Sequence, residues 1–212
     1  MTPEDNVRTV KTQLNILSGG AAHGLVRALE AAFTKATGQT IGGTFGAVGA
    51  MRAKLAAGAP ADVVILTSVI VRELAAQGIV VPHSVTDRGG VETGIAIRTG
   101  DSAPEVADAE SLTLALIAAD EIYCPDPQQA TAGIHFASVL EKLGLASAVK
   151  SRLRTFPNGA TAMTAMAAST AVRPIGCTQV TEIIATPGAK LIQSLPPGFG
   201  LTTVYTAGVV AA

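Results

Sequence analysis

Short apolar strands that alternate with helices constrain this chain more than any other feature. In the first third of the sequence, predicted strands at residues 14–17, 39–45 and 63–66 are each followed by a helical pattern. The run at 63–66 is continuous, as a strand buried on both faces of a parallel sheet requires. Gly38 and Gly78 stand where helices commonly end. This βαβαβα order predicts an α/β fold in which helices cover a mostly parallel sheet.

The first and second parts of the chain are separated by a polar break at residues 86–90. The first helix is predicted to be amphipathic from Leu25, Leu29, Ala32 and Phe33, which are at helical spacing. Beyond the break, the predicted strands are residues 91–98, 121–124, 152–156 and 174–178, the predicted helices are 108–118, 132–143 and 160–168, and 191–195 and 201–210 are extended. Two series of strands and helices indicate two lobes.

The composition excludes several classes of protein. The chain has 15 Lys and Arg against 16 Asp and Glu, and 48% of its 212 residues are hydrophobic. This is too apolar for a disordered chain, and it leaves no basic surplus for a nucleic acid. Aromatic residues make up only 3%, too few for stacking platforms. Cys124 and Cys177 match no disulfide scaffold or zinc pattern, so we expect no metal and no cofactor.

The expected location follows from the absence of a targeting pattern. Residues 1–11 contain Glu4, Asp5, Arg8 and Lys11, which leave no room for the apolar run of a secretory signal. Gly, Pro or a charge interrupts every apolar run before it reaches the length of a membrane helix. We expect no membrane insertion and a cytoplasmic protein, or a periplasmic one if a signal segment has been removed.

A turn of small residues precedes a predicted helix at four places, and these turns are the strongest candidates for a ligand site. At a helix start, free N–H groups and a partial positive charge attract an anion, and small side chains let it approach. In a parallel sheet such turns lie at the carboxyl ends of the strands, where ligands bind. The turns are residues 18–21 (SGGA), 46–49 (GAVG), 131–133 (TAG) and 158–161 (NGAT).

Few side chains near these turns carry chemistry. His23 and His135 each lie in the first turn of a helix and titrate near neutral pH, so either is a candidate general base. Thr178 and Gln179 end a strand and can face a cleft. Met163 and Met166 are interpreted as core. The isolated carboxylates are interpreted as loop or cap residues, and these are Asp62, Asp126 and Glu182.

Several segments together resemble the molybdate-binding proteins, which are type 2 periplasmic solute-binding proteins. The similar segments are residues 18–21 (SGGA), 58–63 (GAPADV), 132–136 (AGIHF) and 140–144 (LEKLG), with 175–183 (IGCTQVTEI) resembling a branch without a signal. The resemblance covers nearly the whole chain, and GAPAD is its most specific part. It implies two αβ lobes joined by crossover strands, residues 1–84 with 188–212 and residues 85–187, that hold a small anion between them.

The resemblance places the ligand contacts at the same small-residue turns. The resulting ligand-binding candidates are Ser18, Gly19, Gly20, Ala21, Gly46, Ala47, Val48, Gly49, Thr67, Thr131, Ala132, Gly133, Asn158, Gly159, Ala160, Thr161 and Gln179. The second turn lacks the serines that molybdate binders of this kind have, and Gln179 stands where the family often has a ligand tyrosine. A tetrahedral oxyanion would lose hydroxyl donors, so we expect a ligand other than molybdate. Without a signal, docking to a transporter permease is not expected.

Three functions remain open at this point. The leading hypothesis is a two-lobe binding protein that closes on a small oxyanion or carboxylate. The second is an isomerase without a cofactor, because aconitate isomerase resembles these binding proteins. Such an enzyme moves a proton on an unsaturated carboxylate, and His23 or His135 is the candidate base. The third is a ligand-sensing module, which would need a partner domain.

Overall fold

The predicted alternation of strands and helices runs through the structure, a computed structural model that describes residues 12–211. The strands are β1 Gln13–Gly19, β2 Thr40–Gly46, β3 Val63–Thr67, β4 Thr86–Arg98, β5 Glu121–Pro125, β6 Leu153–Phe156, β7 Pro174–Gln179, β8 Ala189–Ser194 and β9 Thr202–Val209. The helices are α1 His23–Thr37, α2 Val48–Ala56, α3 Ser68–Ala76, α4 Ala109–Ala118, α5 Thr131–Lys142, α6 Ala146–Val149, α7 Gly159–Ala167 and α8 Val180–Ile184. The short helices α6 and α8 were not predicted.

Two sets of parallel strands are joined by antiparallel strands. β1 pairs in parallel with β2 and β3, and β5 pairs in parallel with β6 and β7. β9 runs antiparallel to β3 and to the first half of β4, whereas the second half of β4 runs antiparallel to β7 and β8. The sheet order is β2-β1-β3-β9-β4-β7-β5-β6, with β8 on β4. The predicted α/β class with crossover strands is confirmed, in a mixed sheet.

The polar break predicted at residues 86–90 is wrong, because these residues form the start of β4. They pair with β9, from Thr86 opposite Ala207 to Glu92 opposite Thr202, with an irregularity between Asp87 and Gly89. Gly89 has a φ of 148°, which side chains rarely adopt. The side chains here are exposed, so the segment looks polar, while strand pairing satisfies its backbone.

The apolar face predicted for the first helix is also only partly buried. Leu25 and Leu29 are 44% and 53% exposed, and within α1 the buried residue is Val26. Helical spacing identified the helix correctly, but the face that packs against the sheet is turned away from these two leucines.

Each set of parallel strands has its own hydrophobic core. Leu66 and Val71 belong to the first core, and Leu112 and Phe136 belong to the second. β8 pairs with the second half of β4, beside the second core. The predicted lobe boundaries stay a prediction. Because β8 pairs with the second half of β4, we expect the chain to return to the first lobe after Ser194 rather than at residue 188.

Several smaller expectations can be compared with the structure. Met163 and Met166 are fully buried, as predicted, and both cysteines are buried. The expectation about residues 1–11 lies outside the described residues. Of the helices in the described part of the chain, none is both long enough and apolar enough to cross a membrane.

The second core provides a test on a single helix. Leu112 is fully buried on α4, whereas Leu114 on the same helix is 60% exposed. We expect Leu112→Ala to lower the free energy of unfolding by about 2–5 kcal/mol, because it leaves a cavity, and Leu114→Ala to change it by less than about 0.5 kcal/mol. Urea unfolding followed by circular dichroism measures both, and equal effects would contradict this packing.

Candidate functional site

A small cavity lies where the carboxyl ends of the strands from both sets meet. It has a volume of about 20 Å³, which is room for about one water molecule. Gly46, Pro125 and Gln179 are the last residues of β2, β5 and β7. The lining residues are Gly20, Gly46, Ala47, Val48, Pro125, Ala130, Thr131, Ala132, Asn158, Gly159, Gln179, Glu182 and Tyr205.

Helix starts surround this cavity. Val48, Thr131 and Gly159 are the first residues of α2, α5 and α7, and Gly20 begins the 3-10 turn that leads into α1. Each of the four small-residue turns therefore contributes lining residues. The first N–H groups of a helix have no partner within the helix and carry a partial positive charge. The lining contains no Lys or Arg, so backbone dipoles supply the positive potential here.

A backbone contact closes the cavity on one side. The N–H of Gly49, in the first turn of α2, donates to the carbonyl of Gln129 at 3.1 Å, just before α5. A Cβ atom on Gly49 would lie 3.0 Å from that carbonyl oxygen, which is closer than side chains normally come. The two parts of the chain are in direct contact here, so Gly49 holds them together rather than lining the cavity.

The carboxyl group of Glu182 lies among the helix starts. Glu182 is only 7% exposed, and its Oε2 accepts a hydrogen bond of 2.7 Å from the Thr178 hydroxyl. A Cβ atom on Gly20 would overlap Oε1 of Glu182, and one on Gly159 would overlap Oε2. Both glycines are therefore required for the close approach of this carboxyl. Glu182 lies in the first turn of α8 rather than in a loop, and it is also a buried part of the cavity wall.

Burial is the largest influence on the pKa of Glu182 and of Tyr205, the two buried titratable side chains in the cavity wall. Burial raises the pKa of Glu182, while the Thr178 hydroxyl and the backbone N–H groups of Ala160, Gln179 and Gly159 act in the opposite direction. Burial, with a smaller contribution from Glu182, also raises the pKa of Tyr205. A buried carboxyl in the cavity wall can accept a proton or a hydrogen bond from a bound molecule.

The side-chain amide nitrogen of Asn158 is a hydrogen-bond donor in the cavity wall. Its side-chain oxygen accepts from both the N–H and the hydroxyl of Thr161, each at 2.9 Å, and so caps α7. This fixes the orientation of the amide, and its nitrogen has no hydrogen-bond partner among residues 12–211. Thr131 adds a hydroxyl at the start of α5. The polar side chains of the wall thus combine donors with a single carboxyl.

Gln179 is held by the crossover strands. It is 2% exposed, and in the amide orientation that satisfies its donors the nitrogen donates to the carbonyls of Val91 and Glu92 at 3.2 Å each. Its oxygen then accepts from Thr203 at 3.3 Å. This side chain links β7 to β4 and β9 at the edge of the cavity.

The remaining predicted ligand residues lie next to the cavity, outside its lining. Ser18 is fully buried, and its hydroxyl donates to the carbonyl of Gly19 at 2.9 Å. A Cβ atom on Gly19 would lie 2.8 Å from the Tyr205 ring, and one on Gly133 would overlap the carbonyl of Asp126. The candidates outside the lining are Ser18, Gly19, Ala21, Gly49, Thr67, Gly133, Ala160 and Thr161.

The two candidate histidines also lie outside the lining. His23 stacks on Phe45 with ring centroids 4.2 Å apart, and burial, then the charge of Arg27, lowers its pKa. The Nε2 of His135 lies 2.6 Å from the carbonyl of Phe199, to which it donates. In this structure each histidine contacts protein groups away from the cavity.

Glu182 and Tyr205 are the two wall residues with chemistry that sequence reasoning missed. One signal for Glu182 was available, since it is a charged residue inside the apolar segment 175–183. Tyr205 had no such signal. It reaches the cavity only because β9, at the end of the chain, pairs with β3 and β4.

Solved structures of binding proteins have the same fold. The chain aligns with the Azotobacter vinelandii periplasmic molybdate-binding protein at a TM-score of 0.72 and 23% identity, covering 93% of this chain and 85% of that one. It aligns with a sulfate-binding protein from Mycobacterium tuberculosis at a TM-score of 0.69 and 16% identity, covering 95% and 76%. At these identities the likeness shows the fold alone.

Sequence comparison adds one relative and a family. An aconitate isomerase from a Pseudomonas species is 26% identical over 209 residues, which is 94% of this chain and 76% of that protein. The model of a family described as bacterial extracellular solute-binding protein matches residues 14–212. With nearly its whole length matched, the chain belongs to this family of bacterial solute-binding proteins.

Proposed function

We propose that this protein binds a small oxyanion or carboxylate in the cavity between its two sets of strands, and that it opens and closes around that ligand. The observation that carries the proposal is the meeting of four helix starts at one cavity without a basic side chain. Free backbone N–H groups with a partial positive charge are a ready anion site. An anion therefore needs no Lys or Arg in this cleft.

Opening is part of the proposal because of the size of the cavity. A volume of about 20 Å³ holds about one water molecule and is too small for an anion with several oxygen atoms. Separation of the Gly49 and Gln129 backbones would widen it. Hinge closure of this kind is common in two-lobe binding proteins. The similar structures named for molybdate and sulfate agree with an anion, and we propose a ligand other than molybdate.

A substitution of Asn158, the N-cap residue of α7, tests the anion site. We expect Asn158→Asp to weaken anion binding by about tenfold or more, because it places a negative charge at a helix start in the cavity wall. The fold should be kept, since Asp and Asn are similarly good caps. Calorimetry against a panel of carboxylates and oxyanions measures the affinities of both proteins.

The matched control is Asp108→Asn, at the cap of α4. Asp108 accepts from the N–H of Ser111 at 2.8 Å and is not in the cavity lining. The Asp108→Asn substitution should therefore leave the affinity for anions unchanged. No binding of any anion at millimolar concentration by folded wild-type protein would contradict the proposed function.

A second candidate function is an isomerase that shifts a proton along an unsaturated carboxylate. The match to aconitate isomerase across 94% of the chain favours it. The reaction needs a base that removes a proton from one carbon and returns it to another, so it is redox-neutral and needs no cofactor. The sequence predicted His23 or His135 as this base. The buried carboxyl of Glu182 is better placed, since it is in the cavity wall and burial raises its pKa.

Incubation with cis-aconitate, followed by ultraviolet absorbance, tests this alternative. If the protein is an isomerase, Glu182→Gln should lower turnover by about 10²–10⁴-fold, as the loss of a general base does. His23→Ala and His135→Ala should retain turnover within a few fold. Loss of turnover in a histidine variant that still folds would return the role of base to that histidine.

A further inference from the structure

The cavity contains a hydrogen-bond acceptor where an anion-binding site needs donors. The carboxyl of Glu182 lies beside Gly20 and Gly159, the first residues of the 3-10 turn before α1 and of the helix α7. Its Oε2 also accepts a hydrogen bond of 2.7 Å from the Thr178 hydroxyl. The protein's own carboxyl thus occupies the position that the helix starts prepare for an anion.

This arrangement discriminates between kinds of anion. An oxyanion without a proton can only accept hydrogen bonds, so against an ionised Glu182 it would place two acceptors and two negative charges together in a buried site. Such a contact costs several kcal/mol, because two like charges meet in a buried site and no hydrogen bond can form between two acceptors. An anion that has a hydroxyl or an acidic proton can instead donate to the carboxyl while its other oxygens accept from the helix starts.

We propose that Glu182 is the specificity-determining residue of this cleft, and that it selects anions which bring their own hydrogen-bond donor, such as hydroxycarboxylates or protonated oxyanions, over anions that have none. This rests on the proposed binding function and names its ligand class. Unpaired charges built against the wrong ligand are a general source of specificity.

A second polar group of the wall supports a ligand at this position. Tyr205 is 4% exposed and lines the cavity, and its hydroxyl has no hydrogen-bond partner within residues 12–211. The hydroxyl oxygen is not one of the fully enclosed atoms without a partner, so a molecule in the cavity can reach it. A bound anion next to Glu182 would give this hydroxyl an acceptor.

Among the described residues, the groups that act on the Glu182 carboxyl are hydrogen-bond donors rather than a counter-ion. The charge of Glu182 contributes to the raised pKa of Tyr205 on β9, and within residues 12–211 the pKa of Glu182 itself is set by burial, the Thr178 hydroxyl and backbone N–H groups. The 3-10 turn at residues 20–22 and the helix α7 contain no titratable residue. The other elements packed against α8 are α1, β4, β7 and β8. Their titratable residues are His23, Arg27, Glu30, Lys35, Asp87, Arg88, Glu92, Arg98, Cys177 and Lys190. Donors and solvent exclusion, rather than a counter-ion, set the state of this carboxyl.

Pairs of probes that differ in one proton donor test the proposal. Hydrogen phosphate and sulfate have the same shape and charge near pH 8, but sulfate has no proton. Malate and succinate differ by one hydroxyl. Calorimetry near pH 8 should show wild-type protein preferring hydrogen phosphate over sulfate, or malate over succinate, by about 100-fold or more, since a site with an unpaired buried polar group rejects the wrong analogue strongly. Which pair binds separates an inorganic from an organic ligand.

Glu182→Gln should remove this preference. The glutamine has nearly the same shape, is uncharged and can donate, so the affinity for sulfate or succinate should rise about tenfold or more and the ratio within the pair should fall toward one. Glu30→Gln changes an exposed carboxyl of α1 outside the cavity wall and should keep the wild-type ratio.

The pH dependence of sulfate binding gives an independent readout. Sulfate does not titrate between about pH 5 and 8, whereas Glu182, whose pKa burial raises, becomes neutral and able to donate below that pKa. Wild-type affinity for sulfate should therefore increase as the pH falls through that pKa, and Glu182→Gln should show no such change. Thr178→Val removes the hydroxyl that lowers this pKa, so it should move the transition to higher pH even if Glu182→Gln folds poorly.

The possible failures are distinguishable. If neither wild-type protein nor the variants bind any probe while folded, the proposed function and this inference both fail. If wild-type protein binds both members of a pair equally, or if Glu182→Gln retains the wild-type ratio, the role of Glu182 is wrong while the binding function stands.

Discussion

A buried carboxyl group is stable only where hydrogen-bond donors surround it, and the cleft of this protein is arranged around that requirement. Glu182 accepts a hydrogen bond from the Thr178 hydroxyl, and the backbone N–H groups of Gly159, Ala160 and Gln179 favour its charged form by lowering its pKa. The glycines at 20 and 159 matter for the same reason, since a side chain at either position would occupy the space of the carboxyl. In the proposed site, a bound anion would use the helix-start N–H groups that remain beside Glu182.

The crossover strands bring these groups together. β4 begins beside β9 and ends beside β7 and β8, so one strand belongs to both sets of paired strands. Gln179 bonds to β4 and β9 at this junction, and it directly precedes the helix that carries Glu182. A change in the relative position of the two strand sets would therefore also change the environment of the cavity wall.

The low charge of the chain is consistent with such a site. Helix starts provide positive potential without basic side chains, and small residues allow the close approach that makes this potential effective. An isolated lysine or arginine in the cavity would pair with Glu182 and would favour any anion of suitable size. Backbone donors around a lone carboxyl instead make the hydrogen-bonding character of the ligand decisive.

The sequence by itself determined the order of strands and helices, the α/β class and the four turns that reach the cavity. These depend on local signals, namely apolar periodicity and the small residues that a tight turn before a helix needs. Only the tertiary structure decided what faces the cavity. Thr86 to Gly90 looked like a polar break because strand pairing with a distant segment is invisible in local composition. Tyr205 enters the wall through the same distant pairing, and Glu182 is buried because two remote turns lack side chains where its carboxyl lies. The sequence could indicate a site for an anion. Only the folded structure shows that the carboxyl of Glu182, a hydrogen-bond acceptor, lies inside that site.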